Sequence, residues 1–354
     1  ETCQNIVEML SQRPDVDRLS ALSQHWQMYQ LPKDDPVLSE ARATCEDFDN
    51  RLLLIARERA AGQDAKQINA SIQQLGLDFA VPLRELDEDN IPRQFRARLH
   101  MYKRDLCGAK GDMATKQISS FLHHLTYVYR GAYDGVMNVH LLRFQKEALA
   151  LTKWCDDMTK NMERHMVQSR TTILSTFLDA FALQPRYTAF FTKIATQTSG
   201  VFRSVKLKGL FRAFEKMAMR ADETRRFKCD NVYDILRGCL IFYDLGQLLQ
   251  AAKLIAQHPQ VKVVKVKDRF TAGKETPGGW RDLMFNACFT DDVGGHKWEI
   301  QLHLDIMVKT RETLGGHRLY EVYRAALEAL DTMKKLNNTT PSTSGSGPLS
   351  MRPQ

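Results

Sequence analysis

Residues 298 to 303 read Trp-Glu-Ile-Gln-Leu-His, and on a strand this alternation aims Glu299, Gln301 and His303 at one face and Trp298, Ile300 and Leu302 at the other. A polar face on an apolar-backed strand is where chemistry can sit. Upstream come Lys206, Lys208, Arg212 and Lys216, then Asp234 at the head of an apolar run, then Gly278-Gly279-Trp280-Arg281-Asp282. Two carboxylates far apart in sequence, with lysines and an exposed aromatic, are the parts of a metal-assisted nucleotide site. Mg2+ prefers oxygen ligands and keeps waters beside one or two carboxylates, while cations hold the transferring phosphates in line. Asp234 and Glu299 are the expected metal ligands and catalytic pair.

Spacing sharpens this expectation. On a helix running through Lys208 to Met217, Lys208, Arg212 and Lys216 make a cationic stripe while Leu210, Phe211 and Phe214 turn toward a core. Further charge follows at Lys265 and Lys267, near glycines that permit close backbone approach. Trp280 suits stacking on a base, a contact worth about 1–3 kcal/mol. If the strand after it is regular, Trp280, Asp282, Met284 and Asn286 share one face. Each feature alone has an ordinary reading: a solvated helix face, a capping Asp, a wet strand face, a Trp packed on its own loop. Their combination is what points to phosphoryl transfer.

The elements that must position these residues divide in two. From the start to about residue 195 apolar residues recur at helical steps, as at Ile118, Phe121, Leu125 and Tyr129 and at Ile173, Leu174, Phe177, Leu178 and Phe181. Breaks are expected at Pro14, Pro32 to Pro36, Gly76, Pro82, Pro92 and Gly108 to Gly111. After Pro185 the character changes to strand-like runs at Ile235 to Tyr243, Val261 to Val266, Leu283 to Phe289 and Trp298 to Leu304, with a helix over Leu245 to Gln257. A further helix is expected over Gly315 to Asp331, and a disordered tail rich in Asn, Thr, Ser, Gly and Pro beyond it. The expected class is α+β: a helical region over 1–195, a mixed-sheet domain over 196–335 and a tail over 336–354.

Composition bounds the partners. With 354 residues and 43% hydrophobic content, the chain can bury one large core or two ordinary ones. The net charge of +8 favours anionic partners, but 42 acidic residues accompany 50 basic ones, so the charge belongs to a local patch and not a polybasic tail. The seven cysteines are odd in number, scattered and without CxxC spacing, which argues against a disulfide framework or zinc site. An intracellular, reducing compartment, the cytoplasm first, is the expectation. No apolar stretch approaches the roughly 20 residues of a membrane span.

In order and spacing, the segment from about 200 to 320 resembles the synthetase domain of the RelA/SpoT-type alarmone synthetases, whose fold is nucleotidyltransferase-like. The resemblance rests on Lys206-Leu-Lys208 through Lys216-Met217, Tyr233-Asp234, Lys267-Asp268, Gly279-Trp280-Arg281-Asp282-Leu283, Glu299-Ile-Gln301-Leu-His303, and the later Met307, Glu312 and His317. It implies transfer of pyrophosphate from ATP to a hydroxyl of a nucleotide or an RNA end, with Mg2+ on Asp234 and Glu299. Lys206, Lys208, Lys216 and Lys267 would bind donor phosphates; Trp280, Asp282, Asn286, Gln301 and His303 would bind the acceptor. Departures fall among the groups the resemblance assigns to phosphate or acceptor binding: Lys206, Arg212, Cys239, Trp280, Asp282, Met284 and His303 stand where the family pattern has other residues, while both expected metal carboxylates are kept. The departures motivate an alternative, a catalytically retired fold that serves as a nucleotide- or RNA-binding module or as a scaffold. His123-His124 lacks the following Asp of the family's hydrolase pair, so no hydrolase is expected. The helical region is a candidate for binding a protein partner.

Overall fold

The computed structural model of the protein describes residues 35–86, 90–160, 162, 168–170, 172–204, 206–220, 229 and 232–314. The helix expected over 315 to 331, His317 with it, and the tail lie outside the described residues, as does Pro14; Ile118, Phe121 and Leu125 are described in backbone only. Before the sheet come α1 (Ser39–Ala60), α2 (Ala65–Glu85), α3 (Asn90–Arg143), α4 (Gln145–Lys160) and α5 (Ile173–Gln197). Then follow β1 (Val201–Ser204), α6 (Leu210–Arg220), β2 (Arg237–Phe242), α7 (Leu245–Gln257), β3 (Val261–Asp268), β4 (Leu283–Phe289), β5 (Trp298–Leu304) and α8 (Asp305–Thr313). A helical region followed by a mixed sheet is the α+β arrangement that the periodicity predicts.

Four expected breaks are absent, and the expected change of character at Pro185 falls inside a helix. α2 runs through Gly76 and Pro82, α3 through Pro92 and Gly108 to Gly111, and α5 through Pro185. Pro92 lies in a first turn, where its missing N–H has no intrahelical partner anyway. Pro82 lies in a last turn. Pro185 and the glycines cost helix stability locally, and tertiary burial outweighs it. For α5 that burial is explicit: Phe177, Ala180, Phe181, Tyr187, Phe191 and Ile194 are all buried, and the Thr172 side chain caps the start by accepting from the Ser175 N–H. The change to strand therefore comes at Val201, not after Pro185. β1 escapes sequence reading because four residues are too few to show alternation.

The sheet order is β1-β2-β5-β4-β3. β2 and β5 are parallel, and every other neighbouring pair is antiparallel. Register creates two transverse rows on one face: Arg203, Cys239, Gln301, Met284 and Lys267 in the first, and Arg237, Glu299, Asn286 and Lys265 in the second. We call this the front face. The back face carries Trp298, Ile300 and Leu302, all fully buried. Trp298 packs edge-on against Tyr187 and Phe191 of α5 at 5.5 and 5.3 Å, and Trp154 of α4 lies 6.1 Å from Phe285. Tyr187 also donates its hydroxyl to the Glu299 carbonyl at 2.6 Å, so one buried residue joins the helical region to the strand that carries the site.

A single hydrophobic core runs from α1 to the sheet. Phe48 of α1 meets Phe177 of α5, and Phe211 of α6 lies between the Arg42 guanidinium, 4.0 Å from its ring, and Phe95 of α3. Both carboxylate oxygens of Asp49 accept from the Leu210 N–H at 3.1 Å, capping α6 from a distant helix. Among the described residues Cys45, Cys155, Cys229, Cys239 and Cys288 are free thiols, and no helix is long and apolar enough to cross a membrane.

Replacing Tyr187 by Phe removes one buried hydrogen bond while keeping the ring. The expected cost is about 1–2 kcal/mol, read as a lower urea midpoint at unchanged m-value; an unchanged midpoint refutes the anchoring role.

Candidate active site

Asp234 is the centre of the front face. It lies three residues before β2 and is 7% exposed. Lys208 donates to Oδ2 at 2.9 Å, and Lys216 pairs with Oδ1. Lys208 is not on the helix with Lys216, as the stripe predicted. It precedes α6, held there by its N–H bond to the Ile235 carbonyl at 3.0 Å. Arg212, the third member of the predicted stripe, turns to solvent and pairs with Glu215 at 2.6 Å. Loop and helix thus converge on one carboxylate, whereas a continuous helix would have put Lys208 in Arg212's row. Burial alone would raise the Asp234 carboxyl, but Lys216 and Lys208 together hold it well below the usual carboxylate range. Burial lowers the Lys208 amine against the pull of Asp234, and Glu299 is close enough to raise it as well.

Glu299 stands between Arg237 on β2 and Asn286 on β4. Oε1 accepts from Gln301 Nε2 at 2.7 Å, and Oε2 faces Asn286 Nδ2 at 3.5 Å. Two neutral amides orient this carboxylate without neutralising it. Among the described residues no three His, Cys, Asp or Glu converge as a metal cage. Two nearly buried carboxylates, one held only by amides, are the donor set of a hard cation that completes its shell with water and phosphate oxygens, not of zinc. The residues fit Mg2+ on those terms. Lys206 is exposed, and Lys267 is half-buried at the β3 end of the first row.

The acceptor end departs further from expectation. Trp280 is not an exposed stacking surface: it is half-buried, edge-on to Tyr133 at 5.5 Å and to His303 at 5.3 Å, with the Arg311 guanidinium 4.7 Å from its ring centroid. Its Nε1 donates to Asp282 Oδ2 at 3.2 Å. Asp282, 2% exposed, is also paired with Arg269, and His303 Nδ1 lies 4.0 Å from it. Asp282 and His303 therefore support Trp280 from beneath, while Asn286 and Gln301 support Glu299. The loop itself is fixed by α3: Arg130 pairs with Glu275 at 2.6 Å and Asp134 with Arg281 at 3.0 Å. Gly279 has φ 84°, and a Cβ there would come within 3.0 Å of the Arg130 Cα, so only glycine allows this approach. His123 and His124 are exposed on α3.

Sequence reasoning missed Arg203, Arg237 and Arg311. Arg237 was accessible, since it precedes Cys239 by two residues and so shares its face. Arg203 required knowing β1, and Arg311 required the turn from β5 into α8.

The chain is similar in structure to small alarmone synthetases. Small alarmone synthetase 1 from Bacillus subtilis, in a structure bound to its product pppGpp, matches at 14% identity over 46% of this chain and 95% of that chain, with a TM-score of 0.31. Small alarmone synthetase 2 from the same organism matches at 18% identity over 46% of this chain and 96% of that one, with a TM-score of 0.30. The complex of the Type VI effector Tas1 with its immunity protein matches at 16% identity over 46% of this chain and 95% of that chain, with a TM-score of 0.30. No family model matches the chain, and no curated protein matches it by sequence.

Two buried histidines give the fold a pH signature. Burial pushes His303 and His296 down from 6.5 to about 4, against the opposing pull of Asp282 and Asp292. Both rings are neutral in the folded chain above that value, whereas the unfolded chain protonates them near 6.5. Their contribution is complete above about pH 6.5 and is lost as pH falls toward 4, by roughly 3 kcal/mol each at most. Urea midpoints measured from pH 7 to pH 5 should fall, and His303→Gln should flatten the slope; an unaltered slope contradicts the neutral buried ring.

Proposed function

We propose that the protein is a Mg2+-dependent enzyme that transfers pyrophosphate from ATP to a hydroxyl of a nucleotide or an RNA end. The observation that carries this reading is the convergence of Lys208 and Lys216 on Asp234, with Glu299 beside them on the front face. The lysines have two possible anions, the carboxylate they now neutralise and the phosphates of a donor. A bound donor would draw the lysines to its phosphate oxygens, and the Asp234 carboxylate so released would be free to hold a cation together with Glu299. When bound, Mg2+ supplies Lewis-acid neutralisation of the phosphates, held by Asp234 and Glu299. Lys206 and Lys267 lie at the margins as further phosphate contacts.

In the proposed reaction the acceptor oxygen bonds to the β-phosphorus of ATP. The bond from that phosphorus to the α–β bridging oxygen breaks, AMP leaves with that oxygen, and the hydroxyl proton passes to Glu299 as general base. Gln301 and Asn286 keep the Glu299 carboxylate aimed at the cleft. Trp280, braced by Asp282 and His303, forms the acceptor wall. The helical region through 195 serves the 196–335 unit as a support, because Asp49 caps α6 and Arg130 fixes the Trp280 loop. The alternative, a retired fold that only binds a nucleotide or RNA, is favoured by one observation: Arg311 already occupies a face of Trp280.

Asp234→Asn and Glu299→Gln should each lower transfer of label from γ-labelled ATP to a nucleotide pool by at least about a hundredfold; Glu299→Gln should melt near the parent, whereas Asp234→Asn, which strips Lys208 and Lys216 of their countercharge, should melt lower while remaining folded. Wild-type turnover in either variant sinks the site assignment. No transfer by the parent chain, alongside nucleotide binding that ignores Glu299→Gln, selects the retired fold.

A further inference from the structure

Two stretches of chain enter the front face side by side, one leading into β2 and the other into β5. Their strands pair in parallel from Arg237 and Glu299 onward. Among the described residues the earliest backbone bond between them runs from the Glu299 N–H to the Leu236 carbonyl, at 3.0 Å. Asp234 lies upstream of that bond on its own chain, and Lys297 lies upstream of it on the other. The gap is bridged by Gln168, from the segment between α4 and α5. Its Oε1 accepts from the Lys297 N–H at 2.8 Å, and its Nε2 donates to the Lys297 carbonyl at 2.9 Å and to the Val232 carbonyl at 3.2 Å. Gln168 is 3% exposed and Val232 is 1% exposed.

A glutamine side chain has one carbonyl oxygen and two N–H donors, and here the oxygen and both donors are used. Buried backbone groups left unpaired cost about as much as a lost hydrogen bond, so an amide from outside the sheet does the work of a strand neighbour. Its placement is symmetric. Val232 stands two residues before Asp234, and Lys297 stands two residues before Glu299. Gln168 therefore holds the backbone that carries each carboxylate without bonding to either one. Its own segment is fixed in turn: Arg170 pairs with Asp179 of α5 at 2.6 Å, and Lys297 Nζ lies 3.4 Å from Ser169 Oγ. A Cβ on Gly295, where φ is 55°, would come within 2.6 Å of that hydroxyl, so a glycine is needed for the segment to approach the β4–β5 connection.

We propose that Gln168 is a positioning residue for the metal carboxylates, setting the separation of Asp234 and Glu299 by clamping both chains two residues upstream. This rests on the proposed function and adds the residue on which the fit of that pair to a hard cation depends. Groups that orient metal ligands from outside commonly change metal affinity by about 10–100-fold.

The test is titration of the full chain, without nucleotide, with Mn2+, which suits carboxylate and water ligands and is read by electron paramagnetic resonance. Gln168→Met removes all three bonds at nearly the same side-chain length. Gln168→Glu keeps an acceptor for the Lys297 N–H but sets a carboxylate against two carbonyls. Each should weaken, by at least about tenfold, the Mn2+ binding that Asp234→Asn and Glu299→Gln abolish. Thr198→Val is the control for lost stability: it removes a buried 2.7 Å bond to the Ile194 carbonyl at the C-terminal end of α5 and should bind Mn2+ as the parent does. Hydrogen exchange at the Glu299 amide reads the clamp without metal, and it should quicken in both Gln168 variants and not in Thr198→Val. Parent-like Mn2+ affinity in the two Gln168 variants overturns the positioning role, whatever the exchange shows. Equal weakening in Thr198→Val reduces the effect to stability and overturns it as well. A parent chain with no Mn2+ binding that depends on Asp234 and Glu299, while Glu299 exchange still responds to Gln168, refutes the metal reading and not the clamp.

Discussion

One carboxylate between two ammonium groups organises this molecule. Asp234 is almost out of water, and removing a charge from water is tolerable only when countercharge is close and well placed. Lys208 and Lys216 supply it from different pieces of chain, so the loop before α6, the axial rotation of α6 and the approach to β2 must all be right together. The remaining scaffold can be understood as what holds those three. Asp49 caps α6 from α1, Phe95 and Arg42 flank Phe211, and the Lys208 N–H ties the loop to Ile235. The parallel pairing of β2 with β5 then brings Glu299 beside them.

The two ends of the front face are built on different principles. Around Asp234 and Glu299, charge is balanced by short, directional contacts, and the groups that do the balancing are those a phosphate or a cation would compete for. Around Trp280 the supporting contacts are internal: Asp282 serves Arg269, Trp280 and His303, and His303 is a neutral buried ring. The Trp280 end of the face is therefore braced from beneath, with Arg311 on its other side. Its placement depends on α3, since Gly279 approaches the backbone of that helix more closely than any side chain would permit.

Much of this was legible in the sequence, for identifiable reasons. β4, β5 and α7 begin and end where the apolar runs do, because period-two and period-3.6 patterns are strong in segments buried on one or both faces. The assignment of Glu299, Gln301 and His303 to one face followed from alternation alone. What could not be read was anything set by tertiary contact. Lys208 reaches the site from a loop and Arg212 drops out of the expected stripe because α6 starts two residues after Lys208, a boundary fixed partly by Asp49 from another helix. Pro185 and Gly108 to Gly111 failed to break helices whose burial is decided elsewhere. Trp280 was read as exposed because the partners that enclose it, Tyr133 and Arg311, come from segments far away in sequence.

The shared core also bears on how the chain is made. The Asp49 cap joins residues 161 apart, and the Arg130 pair with Glu275 joins residues 145 apart. During synthesis at about 5–20 residues per second, α1 waits on the order of 10–30 s for the helix it caps to emerge from the ribosome. Through that interval Phe95 lacks Phe211, and Phe48 has Phe79 but waits for Phe177 of α5, which exposes apolar area to wrong partners. High contact order of this kind slows folding and raises the demand for chaperones. Truncation between the helices and the sheet would leave both fragments in that unfinished state, so yield and solubility of shortened chains are set by topology before any question of catalysis arises.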